Sequence, residues 1–274
     1  MSRLAVVIAA YDEEENAEAL TRRLEKTLSG MPGWTWEIVY VVEGRDRTRE
    51  ILERLAAELG GIRVLYQEEP SGIGNAFRRG FAAVPEGTGW VVTMDADLNH
   101  QPEEIPRLLE AARAQGSDIL VGSRFLEASR VDGTPLWKRF LSGTLNLLMR
   151  ALYDLRVKDK TSGFRVYRAE VLRTLEFEND AFAFLPEILI RARRTGLVVA
   201  EEPIHFIFRK DGRSKMGIWD TSLSYLTLLS AARRSSARRS QLSPSAAPRR
   251  SERRSGESSS TARRTRRTKS SGDS

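Results

Sequence analysis

Short apolar runs alternate with amphipathic stretches through the first 125 residues, and few architectures accept that pattern. "LAVVIAA" (Leu4–Ala10), "EIVYVV" (Glu37–Val42), "IRVLY" (Ile62–Tyr66), "GWVVTM" (Gly89–Met94) and "DILVGS" (Asp118–Ser123) are too short for helices, and most are rich in β-branched residues. Between them, helical spacing runs through Leu20, Leu24 and Leu28, then Thr48–Leu59, Asn75–Val84 and Pro102–Gln115. Strand and helix in turn at this spacing specify βαβ units, hence an α/β fold with a mostly parallel central sheet and helices on both faces. Strands apolar along their whole length agree, because such a sheet is covered on both sides. Ligands of such sheets bind beyond the carboxyl ends of the strands. The expected rim clusters are therefore Tyr11–Glu15, Glu43–Thr48, Asp95–Asn99 and Arg124.

The second half is less regular. Leu136–Tyr153 reads as an amphipathic helix with an apolar stripe of Phe140, Leu141, Leu145, Leu148 and Leu152. Ser162–Arg168 reads as a strand, Phe184–Gly196 as a helix closed by its glycine, Leu197–Phe208 as a strand pair or one long strand, and Met216–Ser230 as another apolar helix. A first unit of residues 1–230 is expected, followed by a tail of residues 231–274. That tail carries 12 Arg and one Lys against three acids, a net of +10, and is too polar to offset its ordering entropy, so disorder is expected there. It suits contact with anionic lipid or RNA, or is an unselected extension. The remaining body has 31 basic and 34 acidic residues, so the basic balance belongs to the tail and nucleic acid is not an expected partner of the body. The chain has no cysteine, which removes disulfide frameworks and thiolate metal sites and fits a cytosolic address. The opening residues lack a signal-peptide pattern, and no uninterrupted apolar window approaches the length of a membrane span.

Within "VVTMDADLNHQP", Asp95 and Asp97 bring two carboxylates together at an expected strand end. Residues i and i+2 of a strand share a face, and Asn99 adds an oxygen at the same parity. Unpaired, the two charges repel; a hard divalent cation such as Mg²⁺ or Mn²⁺, which takes one or two carboxylates plus water and substrate phosphates, relieves this. A polar loop capping the helix that starts at Pro102 is the competing reading. His100 and His205 read as packed side chains.

Six separated segments then carry a resemblance: "AAYDEEENA" (Ala9–Ala17), "GIGNAFRRGF" (Gly72–Phe81), "MDADLNHQPEEIPRLL" (Met94–Leu109), "DILVGSRF" (Asp118–Phe125), "DKTSGFRVYRAEVL" (Asp159–Leu172) and "EEPIHFIFRKDGRSKM" (Glu201–Met216). In this order they resemble the polyprenol-phosphate mannose synthases of glycosyltransferase family two, over roughly Leu4 to Met216. The resemblance implies a GT-A type nucleotide-sugar-binding fold and an inverting, metal-dependent transfer of mannose from GDP-mannose to a polyprenyl or dolichyl monophosphate. The same fold using UDP-glucose or another donor, or a saccharide acceptor, is the alternative; an inactive nucleotide-sugar-binding relative is a third reading.

For the site, the resemblance implies metal ligation by Asp95, Asp97 and Asn99. It implies donor contacts from Ala10, Tyr11, Glu13, Glu43, Gly74, Asp95 and Ala96, and catalytic roles for Asp97, Arg209 and Arg124. The acceptor phosphate would be held by Arg124, Lys138, Arg139, Ser142, Arg209 and Lys215, with Glu187 on the sugar or acceptor side. Lys138 and Arg139 also fit the wet face of an amphipathic helix, Arg124 a salt bridge to a loop carboxylate, and Glu187 a buried partner for an arginine of the sheet. The enzyme is expected in the cytoplasm, peripheral on the inner face of a membrane, through its amphipathic helices, the basic tail or a separate membrane-anchoring subunit. Three departures stand out. Ala10 and Asp12 replace the opening Pro and Asn. The acidic pair of the second strand is absent, with Glu43 nearby in a shifted place. Asn99 and Lys138 stand where Gln and Arg are common.

Overall fold

A computed structural model describes residues 2–134, 136–153 and 155–208. In chain order the elements are β1 (Ser2–Tyr11), α1 (Ala17–Ser29), β2 (Trp34–Glu43), α2 (Thr48–Leu59), β3 (Ile62–Gln67), α3 (Ile73–Ala82), β4 (Trp90–Asp95), a 3₁₀ turn (Pro102–Glu104), α4 (Ile105–Ala114), β5 (Ile119–Ser123), β6 (Arg130–Asp132), α5 (Leu136–Tyr153), β7 (Arg165–Arg168), α6 (Ala169–Thr174), α7 (Phe184–Thr195), β8 (Val199–Pro203) and β9 (His205–Ile207). The helix expected at Met216–Ser230 and the tail of residues 231–274 lie outside the described residues.

Seven strands form the main sheet in the order β3-β2-β1-β4-β7-β5-β8, and β6 pairs with β9 in a small second sheet. All neighbours in the main sheet run parallel except β7, which is antiparallel to both β4 and β5. The alternation of β1 explains its apolar content. Leu4, Val6 and Ile8 pack with Leu20, Leu24 and Leu28 of α1, Leu52 and Leu55 of α2, and Ile105, Leu108 and Leu109 of α4. Ala5 and Val7 pack on the opposite face with Phe77 of α3 and Phe184, Ile188 and Leu189 of α7. Each such side chain contributes roughly 2 kcal/mol of burial. A strand buried on both faces therefore needs no polar alternation.

Two short elements, β6 and α6, lie where the sequence suggested no element. The run Leu197–Phe208 divides at Ile204 into β8, on the edge of the main sheet, and β9, in the small sheet. No helix of the described residues is long and apolar enough to cross a membrane.

Candidate active site

The parallel strands end on one rim, where the loops leaving β1 and β2 lock together. Glu13 N donates to Thr48 Oγ1 at 2.7 Å and Glu14 N to Asp46 Oδ2 at 3.0 Å, while Arg45 N donates back to Asp12 Oδ1 at 3.0 Å. Asp12, Asp46 and Thr48 thus shape this part of the rim, although no role was assigned to them from sequence. The signal available was Asp46-Arg47-Thr48 at a helix start, where Asp46 accepts from Thr48 N at 2.9 Å. Ala10 is buried at the end of β1 and Tyr11 is exposed beside it.

Asp12 (φ 50°) and Leu98 (φ 61°) are the non-glycine residues with left-handed backbone among those described, and both lie on this rim. Such conformations persist where surrounding structure over-determines them, and they collect at functional sites.

Glu43, at the end of β2, is buried. Ser71 Oγ donates to it at 2.6 Å, Ser71 N at 3.2 Å and Arg79 at 3.5 Å. The resemblance gives Glu43 to the donor; in the structure its two oxygens fasten the loop before α3. Gly74 serves close packing: its N donates to Asp180 O at 2.8 Å, and a Cβ there would stand 2.0 Å from Asn179 O. Glu187 holds the same 178–180 loop from behind, accepting from Glu178 N (3.1 Å), Asn179 N (3.0 Å) and its helix neighbour Arg191 (3.0 Å). In the structure Glu187 is thus a buried partner of Arg191, on its own helix, and of the 178–180 loop.

The aspartate pair sits where β4 ends. Strand parity stops at Asp95, and the left-handed Leu98 turns the chain, so Asp97 and Asn99 are brought round by a turn. Asn99 donates to Asp97 twice, from its backbone N (3.0 Å) and from Nδ2 (2.5 Å). In this arrangement it orients Asp97 with its nitrogens. Ala96 and Leu98 are buried and anchor the turn. Burial pushes the pKa of both carboxyls above the ordinary range. Arg124 and Arg165 counter part of the push at Asp95, and the charge of Asp95 adds to it at Asp97. His100, fully buried against Phe164 and Phe206, is pushed down to about 4 by burial, so its ring is neutral at pH 7. Its Nδ1 accepts from Asp95 N at 3.3 Å, a packed and supporting role.

The rest of the rim comes from the segment before β7. Because β7 is antiparallel, it begins on the rim where β4 and β5 end. Asp159, fully buried, takes Arg124 in a fork: Nε to Oδ2 at 2.7 Å and Nη2 to Oδ1 at 2.9 Å. Sequence reasoning gave Arg124 to the acceptor phosphate; the structure spends this fork on a protein carboxylate 35 residues away. Lys138, Arg139 and Ser142 fall on the first two turns of α5, and their side chains lie outside those described; Arg209 and Lys215 lie outside the described residues altogether.

Among the described residues, no three histidine or acidic side chains converge as a metal cluster. A pair of destabilised, like-charged carboxylates is an oxygen donor set that fits Mg²⁺ or Mn²⁺, whose remaining ligands come from water and substrate phosphates.

Comparison with known proteins agrees with this architecture. Residues 5–176, which carry β1 through α6, match the family described as Glycosyl transferase family 2. The chain is 37% identical over 218 residues to the dolichol-phosphate mannosyltransferase of Pyrococcus furiosus, covering 78% of this chain and 59% of that one. It thus spans less than two thirds of the archaeal protein. It is 32% identical over 248 residues to the undecaprenyl-phosphate mannosyltransferase of Micrococcus luteus, covering 88% of this chain and 99% of that protein. Among solved structures, the glucosyl-3-phosphoglycerate synthase of Mycobacterium tuberculosis in complex with Mn²⁺, UDP and phosphoglyceric acid superposes with a TM-score of 0.59 at 22% identity, covering 84% of this chain and 78% of that one. That likeness is one of fold, and the fold is of the GT-A type. With the aspartate pair, both interlocked rim loops and the inserted β7 all inside the matched span, the chain belongs to glycosyl transferase family 2.

Proposed function

We propose that this chain transfers mannose from GDP-mannose to a polyprenyl monophosphate, with inversion and with a divalent cation at Asp95 and Asp97. One structural observation carries the choice of acceptor. A saccharide hydroxyl needs a general base, and the carboxylates nearest to that role by sequence, Asp159 and Glu187, are each committed to an arginine and to loop amides. A phosphate acceptor is already largely anionic, with a second pKa near ~6, and needs no base. The mannosyltransferases of P. furiosus and M. luteus, whose names specify lipid-phosphate acceptors, support the same class.

When bound, Mg²⁺ or Mn²⁺ supplies positive charge beside the departing diphosphate. The protein's share is to hold the two carboxylates together on the rim and to grip the acceptor phosphate with cations. With the Arg124 fork engaged, that grip falls to Lys138, Arg139, Arg209 and Lys215, because guanidinium and ammonium groups fix a phosphate in line. Leu147, Leu148 and Leu152 of α5 are exposed and suit contact with the lipid surface from which such an acceptor is drawn. We assign residues 1–230 to this catalytic unit and residues 231–274 to an accessory basic tail.

A donor panel tests the reading. With Mn²⁺ and polyprenyl phosphate, radiolabel from GDP-mannose is expected in the organic phase, and label from UDP-glucose is expected to stay in water. Transfer from UDP-sugars alone refutes the donor assignment, and label on a soluble saccharide refutes the acceptor.

A further inference from the structure

Arg165 is the first residue of β7, and in register it stands between Thr93 of β4 and Val121 of β5. Its side chain is fully buried. A buried guanidinium ordinarily takes a carboxylate partner, since an uncompensated charge in the interior is costly. The hydrogen bonds of Arg165 instead go to three main-chain carbonyls: Nε to Ser162 O (2.8 Å), Nη2 to Lys160 O (2.9 Å) and Nη1 to Leu185 O of α7 (2.8 Å). Two of those carbonyls belong to the segment that leads into β7, so one planar group holds that segment to the body of the domain.

That segment touches the aspartate pair through Gly163. Thr93 Oγ1 donates to Gly163 O at 2.7 Å. A Cβ at Gly163 would stand 2.7 Å from Asp95 Oδ1 and 3.4 Å from Oδ2. The Asp95 carboxylate therefore rests in the gap left by the missing side chain. Asn146 of α5 reaches the same segment, its Oδ1 accepting from Lys160 N at 2.9 Å.

We propose that Arg165 and Gly163 form a positioning device for the metal-binding carboxylates: Arg165 fixes the course of the Lys160–Gly163 backbone, and Gly163 leaves the seat in which Asp95 is oriented. Neither residue touches substrate. The proposal rests on the reading of Asp95 and Asp97 as the divalent-cation pair, and it adds a support behind them that the local motif does not contain.

The experiment is a Mn²⁺ titration of the full chain with GDP present, followed by the electron paramagnetic resonance signal of free Mn²⁺. Gly163→Ala and Arg165→Lys are compared with wild type and Asp97→Ala. Lysine keeps the charge but cannot reach three divergent carbonyls as a fork does. Both variants are expected to bind Mn²⁺ about 10-fold or more weakly, the range typical of groups that orient metal ligands. Transfer activity is expected to recover in part at high Mn²⁺. Folded Gly163→Ala protein that binds Mn²⁺ as wild type does overturns the proposal, because a role in packing alone lowers the melting temperature without changing affinity per folded molecule. If Arg165→Lys does not fold, Gly163→Ala decides alone. Weaker binding in Asp97→Ala with unchanged binding in Gly163→Ala sinks only the positioning device. Wild type that binds no more tightly than Asp97→Ala sinks the metal reading and this proposal together.

Discussion

Asp97→Ala is expected to lower sugar transfer by about 10³-fold or more, equivalent to ~4 kcal/mol of transition-state stabilisation, while leaving the fold intact or slightly firmer. The two effects have opposite signs for one reason. Asp97 is held near Asp95 in a setting that disfavours its charge, and it accepts hydrogen bonds locally, from Asn99. Removing it relieves repulsion that a bound cation would otherwise relieve, so the metal-free protein loses little. Thermal unfolding in chelator together with a transfer assay in Mn²⁺ checks this. A melting temperature that falls along with activity means that Asp97 is structural and that the assignment fails.

Asp159→Asn is expected to act the other way, through stability first. The carboxylate is wholly buried and holds the Arg124 fork, the Arg124 and Ser162 backbone amides, and Thr161. Removing one partner of a buried pair typically costs about 3–5 kcal/mol; because the Arg124 side chain is 21% exposed, the lower end, about 3 kcal/mol, is expected. Burial opposes the charge on Asp159, but the charge and hydrogen bonds of Arg124 outweigh it and hold the carboxyl below its ordinary value. A depressed folded pKa stabilises fully above the unfolded value of about 3.9, and that stability is lost as pH falls through the folded pKa. Denaturant midpoints for wild type should therefore drop on acidification below about pH 4, and the Asn variant should lack that component of the drop. A variant with an unchanged midpoint at pH 7 shows that the pair contributes nothing.

Much of the fold was legible because its signals are local. The five apolar runs of the first 125 residues became β1 to β5, and the leucines at helical spacing became the buried face of α1. Features set by distant partners were not legible. In "SGFRVYR" nothing local gives the direction of β7, which follows from being inserted between β4 and β5. "LVVAEEPIHFIF" reads as a strand pair or one long strand, and nothing local shows that Ile204 separates strands of two different sheets. The partners of Glu43 and Arg124 lie 28 and 35 residues away, so an exposed catalytic contact and a buried latch look the same in sequence. The aspartate pair was legible as a motif, while its support by Arg165 was not, because an arginine in a short strand carries no mark of burial.

The insertion of β7 has a consequence for how the molecule is made. β4 pairs with β1 on one side and with Arg165–Arg168 on the other, and β5 does not touch β4 directly. A chain growing from its N-terminus can therefore lay down β3, β2, β1 and β4 early. It then carries Trp90–Thr93 as an unpaired, largely apolar edge until residue 168 has left the ribosome. Such an edge is a template for wrong pairing, and closing it requires contacts more than 70 residues apart. Pulse-labelled hydrogen exchange during refolding should find the amides joining β1 to β2 protected before those joining β4 to β7; simultaneous protection would refute this order. The carboxylate pair at the end of β4 would then acquire its backing last, so that the nascent polypeptide becomes competent for metal only as its sheet is sealed.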